Sequence, residues 1–130
     1  MPRNRFVEPE TVRLELGDSD DWIEVKMELT YGEEQRLAGA AMSVKSQLNG
    51  DKQVGDDIQL DMENERFAVL RFYLWLVDWS FINKALKPVK LTKAAIANLQ
   101  HETADEIDRV LTRHIARVEE ERKNALSPTP

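Results

Sequence analysis

The sequence predicts an α+β domain in which an N-terminal β-hairpin packs on a mostly helical body of about four helices. Three observations predict this fold. Apolar and polar residues alternate near the N-terminus, as in half-buried strands. Two capping motifs and several stretches of helical periodicity follow. The 130 residues suit one domain, and 42% hydrophobic residues can supply its core.

The hairpin is predicted over residues 11–28. Apolar and polar side chains alternate from Thr11 to Leu16, and again from Trp22 to Met27. Residues 17–21 between these runs are Gly, Asp and Ser, which favour turns. A hairpin alone is only marginally stable, so its apolar face must pack on the helices. Residues 1–10 are expected to form a flexible arm.

Two helices are predicted in the middle of the chain, at about 31–46 and 62–83. Thr30 and Glu33 have the capping-box spacing, and Asp61 is the expected cap of the second helix. A polar loop with a short extended piece at 58–60 is expected between them. On a helical wheel, apolar residues cover nearly the whole circumference of the second helix. A small domain has difficulty burying that much apolar surface by itself. We therefore expect a partner to cover part of it.

Two further helices are predicted at about 92–99 and 104–124, after the chain break at Pro88. Thr92 is the expected start of the first, and Thr103 with Glu106 forms a capping box for the second. The last helix is amphipathic, with one apolar stripe. We expect residues 125–130 to be a disordered tail and residues 11–124 to form a single domain.

Charge and composition limit the class of protein. Residues 1–65 contain 7 Lys and Arg against 16 Asp and Glu, whereas residues 66–130 contain 11 against 8. This division favours contacts between proteins or between copies, so we expect a homo-oligomer and consider nucleic-acid binding unlikely. The longest apolar run is too short and too charged to span a bilayer, and no secretory signal is visible. The sequence thus suggests a soluble, cytoplasmic protein.

No catalytic, cofactor or metal site is expected. Cysteine is absent and no glycine-rich phosphate loop occurs. Residues 49–60 resemble an EF-hand loop, but Val54 and Leu60 occupy its essential glycine and glutamate positions. His101 and His114 are interpreted as ordinary surface or boundary residues. We therefore expect no enzymatic activity, with Asp78 the one carboxylate in a plausibly apolar environment.

The candidate partner-binding residues lie in the second predicted helix. Large aromatic residues are most often core but are also frequent interface anchors. Two charged residues in the same apolar segment are candidates to fix specificity under a partner. The six candidates are Trp75, Trp79, Phe72, Phe81, Arg71 and Asp78.

The order of three motifs resembles the tail assembly chaperones of long-tailed bacteriophages. The motifs are Trp22-Ile23-Glu24-Val25 in an early strand, Leu29-Thr30-Tyr31-Gly32-Glu33-Glu34, and an apolar helix that closes on Val77-Asp78-Trp79-Ser80. The helices from Thr92 onward are also similar. The resemblance covers roughly residues 10–118.

The resemblance implies that the protein binds the tape measure protein in the host cytoplasm and recruits tail tube subunits. It also implies that the chain is the short form of a pair whose longer form arises by a ribosomal frameshift. One alternative is a structural virion component such as a head-tail adaptor or minor tail protein. Another is a small nucleic-acid-binding regulator that uses the row formed by Arg109, Arg113 and Arg117.

Overall fold

A computed structural model confirms the α+β class. It describes the backbone of residues 2–17, 19–48 and 56–126, and the side chains of residues 2–17, 19–42 and 66–124. Within these ranges the chain forms three strands and four helices. They are β1 (Thr11–Glu15), β2 (Trp22–Lys26), α1 (Tyr31–Leu48), α2 (Asp56–Trp75), β3 (Leu76–Trp79), α3 (Lys93–Ala97) and α4 (His101–Leu126).

The predicted hairpin is confirmed and forms two thirds of an antiparallel sheet with the order β1-β2-β3. Its register pairs Val12 with Val25 and Leu14 with Ile23, so these four apolar side chains share the inner face. β3 adds Trp79 opposite Ile23, with a β-bulge near Val25. The outer face holds the charged residues of both hairpin strands, as is usual for an antiparallel sheet with one solvated face.

Gly17 lets the hairpin turn approach helix α4. Its φ of 50° lies in the left-handed region, where a side chain is strained. A Cβ at this position would also collide with the carboxylate of Glu106. The turn is further held by Ser19, whose Oγ donates to the carbonyl of Leu16 at 2.9 Å. Asp18 lies outside the described residues.

Helix α1 begins as predicted. The backbone N–H of Glu33 donates to Thr30 Oγ1 at 3.2 Å, and the N–H of Thr30 donates to Glu33 Oε1 at 3.0 Å, which completes the capping box. The loop predicted between the first two helices falls partly on residues 49–55, which are not described. The extended piece predicted at 58–60 is wrong, because these residues lie in α2.

The second helix was predicted at 62–83, and both boundaries are wrong. Helix α2 begins at Asp56, so Asp61 lies inside it and is not its cap. The helix ends at Trp75, and Leu76–Trp79 form strand β3. A short apolar run fits a buried helix and a buried strand equally well, so periodicity could not separate the two. The segment predicted as one helix with apolar residues on all sides is thus a helix followed by a strand.

Helix α3 confirms its predicted cap, since Thr92 Oγ1 accepts from the N–H of Ala95 at 3.0 Å. The last helix starts earlier than predicted: it begins at His101, and the N–H of Ala104 already donates to the carbonyl of Gln100 at 2.9 Å. Thr103 is therefore inside α4 and does not cap it. The helix also runs to Leu126, into the segment predicted as a disordered tail, of which residues 127–130 are not described.

The core lies between the inner face of the sheet and the helices. Ile23, Val25, Ile107 and Leu111 have no exposed area, and the end of α2 contributes Phe72, Leu74 and Trp75. None of the helices, over the described residues, is long and apolar enough to cross a membrane.

Candidate functional site

One concavity among the described residues is an open groove, here called the aromatic groove, with a volume of about 690 Å³. It lies between the hairpin turn, the segment after β3, helix α3 and the start of α4. Its larger apolar lining residues, here called its floor, include Trp79, Phe81, Ile82, Val89 and Leu99. This size and lining are typical of sites that bind a small molecule or the apolar face of an amphipathic peptide.

The two aromatic residues of the floor make contacts within the chain. Trp79 is buried, and its Nε1 donates to the carbonyl of Val89 at 2.6 Å. The ring of Phe81 packs on that of Trp79 with centroids 4.9 Å apart at 34°. Two of the six predicted partner-binding residues therefore meet here, although the indole of Trp79 is mostly covered by the protein itself.

The lining of the groove also includes three charged residues, here called its rim. They are Asp21 in the hairpin turn, Glu106 on α4 and Lys90 in the segment after β3. Ser80 fixes Asp21, because its Oγ donates to Asp21 Oδ1 at 2.9 Å and accepts from the N–H of Trp22 at 2.9 Å. A lining that combines apolar residues with charges of both signs suits an amphipathic segment.

Two more candidates, Arg71 and Phe72, line a smaller groove at the α2–α4 junction, together with Phe67. Phe72 is buried, and Arg71 forms an ion pair with Asp108 and donates to Thr112 Oγ1 at 3.1 Å. Arg71 is thus satisfied by α4. No local pattern in the sequence indicated this pairing, because Arg71 and Asp108 are 37 positions apart.

The remaining candidates, Trp75 and Asp78, are placed differently from the expectation. Trp75 is buried and meets the ring of His114 edge-on, with centroids 6.1 Å apart. Asp78 is exposed on the outer face of β3, opposite Glu24, so the apolar environment predicted for it is wrong. Its Oδ1 accepts from the N–H of Trp79 at 2.8 Å. Trp75 and Trp79 do not share a helix face, because the helix ends between them.

His114 was interpreted as a surface or boundary residue, and this is wrong: only 2% of it is exposed. Its Nε2 lies 2.9 Å from the carbonyl of Lys26, and its Nδ1 lies 3.3 Å from Arg117 Nη2. A carbonyl only accepts and a guanidinium only donates, so these contacts fit the tautomer with its proton on Nε2. His114 therefore ties α4 to the end of β2. His101 is exposed, as expected.

Among the described side chains, no group of three or more His, Asp and Glu is arranged to hold a metal ion. Residues 49–55 of the EF-hand-like segment lie outside the described part of the chain.

Comparison of the chain with models of protein families, with curated proteins and with solved structures finds no significant match to any of them.

Proposed function

We propose that this protein is an assembly chaperone of the phage-tail type, which binds a helical segment of the tape measure protein in the host cytoplasm and brings it to tail tube subunits. The observation that carries the proposal is the aromatic groove, whose apolar floor and charged rim residues fit an amphipathic helix. The motif resemblance over residues 10–118 supplies the identity of the client.

Part of the apolar surface that the sequence led us to expect is buried within the chain itself. Because residues 76–79 form a strand, Leu76 and Trp79 point into the core. Tyr73, Val77 and Ile82 remain 40%, 44% and 54% exposed. Scattered exposed apolar residues are ordinary, so the groove and not the total apolar surface supports the proposal.

The test is co-expression with the tape measure protein encoded by the same genome. We expect the client to stay in the supernatant and to co-purify with this chain. Leu99→Asp places a charge on the groove floor and should abolish co-purification. Met42→Asp is the matched control, since Met42 is 67% exposed on α1, outside the groove. Capture that survives Leu99→Asp but not Met42→Asp would move the client site to α1.

A structural virion component is the second candidate, since an apolar groove also suits a subunit whose surface is permanently covered by its neighbours. Quantitative mass spectrometry of purified particles separates the two. A chaperone should be missing from mature particles, whereas a head-tail adaptor or minor tail protein should be present at a fixed copy number.

A further inference from the structure

Strand β1 is an edge of the sheet and directs unused backbone groups outward. Among the strands that the structure describes, the order is β1-β2-β3, so β1 has a neighbour on one side. The N–H of Leu16 donates to the carbonyl of Asp21 at 3.0 Å, in register with the β1–β2 pairing. Bonded and unbonded positions alternate along an antiparallel pair. The N–H and C=O groups of Thr11, Arg13 and Glu15 therefore point away from β2.

The edge formed by β1 is regular. Residues 11–15 contain no proline and pair with β2 in an unbroken register, whereas the β2–β3 pairing has a bulge near Val25. Prolines and bulges are common devices that block a sheet edge. Charged side chains are another, and β1 carries Arg13 and Glu15 on its outer face. Such charges disfavour indiscriminate pairing but admit a strand whose own charges are complementary.

A groove, here called the edge groove, lies between β1 and helix α4 and has a volume of about 290 Å³. It is lined by Leu14, Glu15, Val110, Arg113, His114 and Arg117. Successive side chains of a strand point to opposite faces of the sheet. In a strand added to β1, every second side chain would therefore stand on the inner face beside Leu14 and enter the edge groove.

The edge groove has more positive than negative charge. Arg113 and Arg117 are exposed, and neither forms an ion pair within the described part of the chain. The lining includes one carboxylate, that of Glu15. Arg117 Nη2 lies 3.3 Å from Nδ1 of His114, which is buried and contacts the carbonyl of Lys26. A guanidinium held in this way loses less entropy when it binds a carboxylate.

We propose that β1 accepts a further strand from a partner protein, an extended segment with Asp or Glu at alternate positions. Its backbone bonds to the outward N–H and C=O groups of β1, and its inward carboxylates pair with Arg113 and Arg117. A phosphate backbone could meet the same arginines, but it has no N–H groups to continue the sheet. The edge groove shares no lining residue with the aromatic groove, so this second site goes beyond the proposed function.

The probe is a fluorescent peptide of about ten residues that alternates Glu and Thr, since threonine favours strands. We expect fluorescence anisotropy to show saturable binding to the full chain, weakened by salt. A peptide that alternates Lys and Thr should not bind, because it meets the arginines with like charge. The Glu and Thr peptide with every backbone nitrogen methylated keeps its charges but cannot donate to β1, and should not bind either.

Amide hydrogen exchange of the isotope-labelled chain, followed by NMR, locates the added strand. The N–H groups of Val12 and Leu14 bond to β2, whereas those of Thr11, Arg13 and Glu15 point outward and should exchange rapidly in the free chain. Peptide binding should slow exchange at these three outward positions and leave Val12 and Leu14 unchanged. A purely electrostatic contact with the arginines would not produce this alternating pattern.

Charge reversal tests the edge groove. Arg113→Glu should weaken peptide binding about tenfold or more, because it removes a charged donor and adds repulsion. Arg113→Glu with Arg117→Glu should abolish binding. Lys84→Glu with Lys87→Glu makes the same charge change at exposed positions outside the edge groove and should bind the peptide like the unaltered chain. Thermal unfolding checks that each variant is folded.

A proline tests the backbone contact separately. Proline is tolerated on an edge strand where its N–H would face solvent, so Arg13→Pro keeps the bonds to β2 and removes one outward donor. It should weaken peptide binding more than Arg13→Ala does, which removes the same side chain and keeps the N–H. Equal binding by these two variants would show that the backbone of β1 is not used.

Three further results would overturn the proposal. One is the absence of peptide binding up to about 1 mM. Another is a complex in which the N–H groups of Arg13 and Glu15 still exchange rapidly. The third is a single-stranded DNA oligonucleotide that displaces the peptide and binds more tightly, which would assign the arginines to phosphates. Leu99→Asp should leave peptide binding intact, so failure of the aromatic groove to capture the tape measure protein is a separate result.

Discussion

Helices α4 and α1 are both long, but they bury their side chains very differently. In α4, Ile107 and Leu111 have no exposed area, whereas no residue of α1 between positions 31 and 42 is buried. The apolar residues of α4 recur on one face, while those of α1 are mostly small. Helix α4 is thus stabilised by the core, and α1 by its capping box and by packing on α2. Substitutions in the two helices should therefore differ sharply in cost.

The largest difference is expected for truncation of an apolar side chain. Leu111→Ala should lower the free energy of unfolding by about 2–5 kcal/mol, because it leaves a cavity in a closed core. Leu37→Ala, at a half-buried position of α1, should cost about 1 kcal/mol. Urea denaturation measures both changes. Equal costs would show that α1 is packed as tightly as α4 and would end the comparison.

A smaller effect is expected at the polar residue of the same core. His114→Leu keeps the volume but leaves the carbonyl of Lys26 without its donor, so it should cost about 1–3 kcal/mol. His101→Leu at the exposed start of α4 is the control and should stay within about 0.5 kcal/mol. A neutral result for His114→Leu would mean that water reaches that carbonyl.

The cap of α1 should contribute less. Thr30→Ala removes the acceptor for the N–H of Glu33 and should cost about 1 kcal/mol, measured by thermal unfolding. The cost would be near zero if the first turn of α1 frays in the folded chain. Thr92→Ala tests the same bond at the start of α3.

Glu33 adds a pH dependence to this cap. Burial raises the pKa of its carboxyl, but the bond and charge of Lys26, with the bonds from Thr30, outweigh burial and place the pKa below 4.5. A carboxyl with a lowered pKa stabilises the fold above its unfolded value, and this contribution is lost as the pH falls from 4.5 through the folded pKa. Glu33→Gln should therefore flatten the stability curve below pH 4.5. An unchanged curve would show that the Lys26 contact does not form in solution.

The smallest effect is expected far along α4, where the helix leaves the core. Arg122 Nη2 lies 2.9 Å from Glu28 Oε2, with both side chains well exposed. Arg122→Gln should change the free energy of unfolding by less than about 0.5 kcal/mol, because exposed ion pairs contribute little. A larger loss, measured at low and at high salt, would mean that this pair anchors the end of α4.

The sequence was sufficient where one local signal decided the structure. Alternation predicted the hairpin, and the Thr30–Glu33 spacing predicted the start of α1. It was insufficient where two structures fit the same pattern, so β3 was mistaken for more of α2. Tertiary pairing with β2 decides that segment, and pairing cannot be read from a short apolar run.

The same reasoning explains what was missed at the site. His114 lies three residues after Leu111 and seven after Ile107, on the apolar face of α4, so its burial was visible in the periodicity. Trp79 and Phe81 were predicted as partner-binding residues on a helix, but they meet in the groove because the chain turns after β3. The rim of the groove combines residues from the hairpin turn and α4, which no local pattern connects.

Helix α2 passes into strand β3 without a single intervening residue, and both Trp75 and Leu76 at that junction are buried. A flexible loop at this junction would let α2 move without displacing β3, but no loop separates the two elements. Tension applied to α2 would therefore load the hydrogen bonds between β3 and β2 directly. A force that displaces α2 is therefore transmitted along β3 to its far end, where the chain enters the lysine-rich segment of residues 80–100.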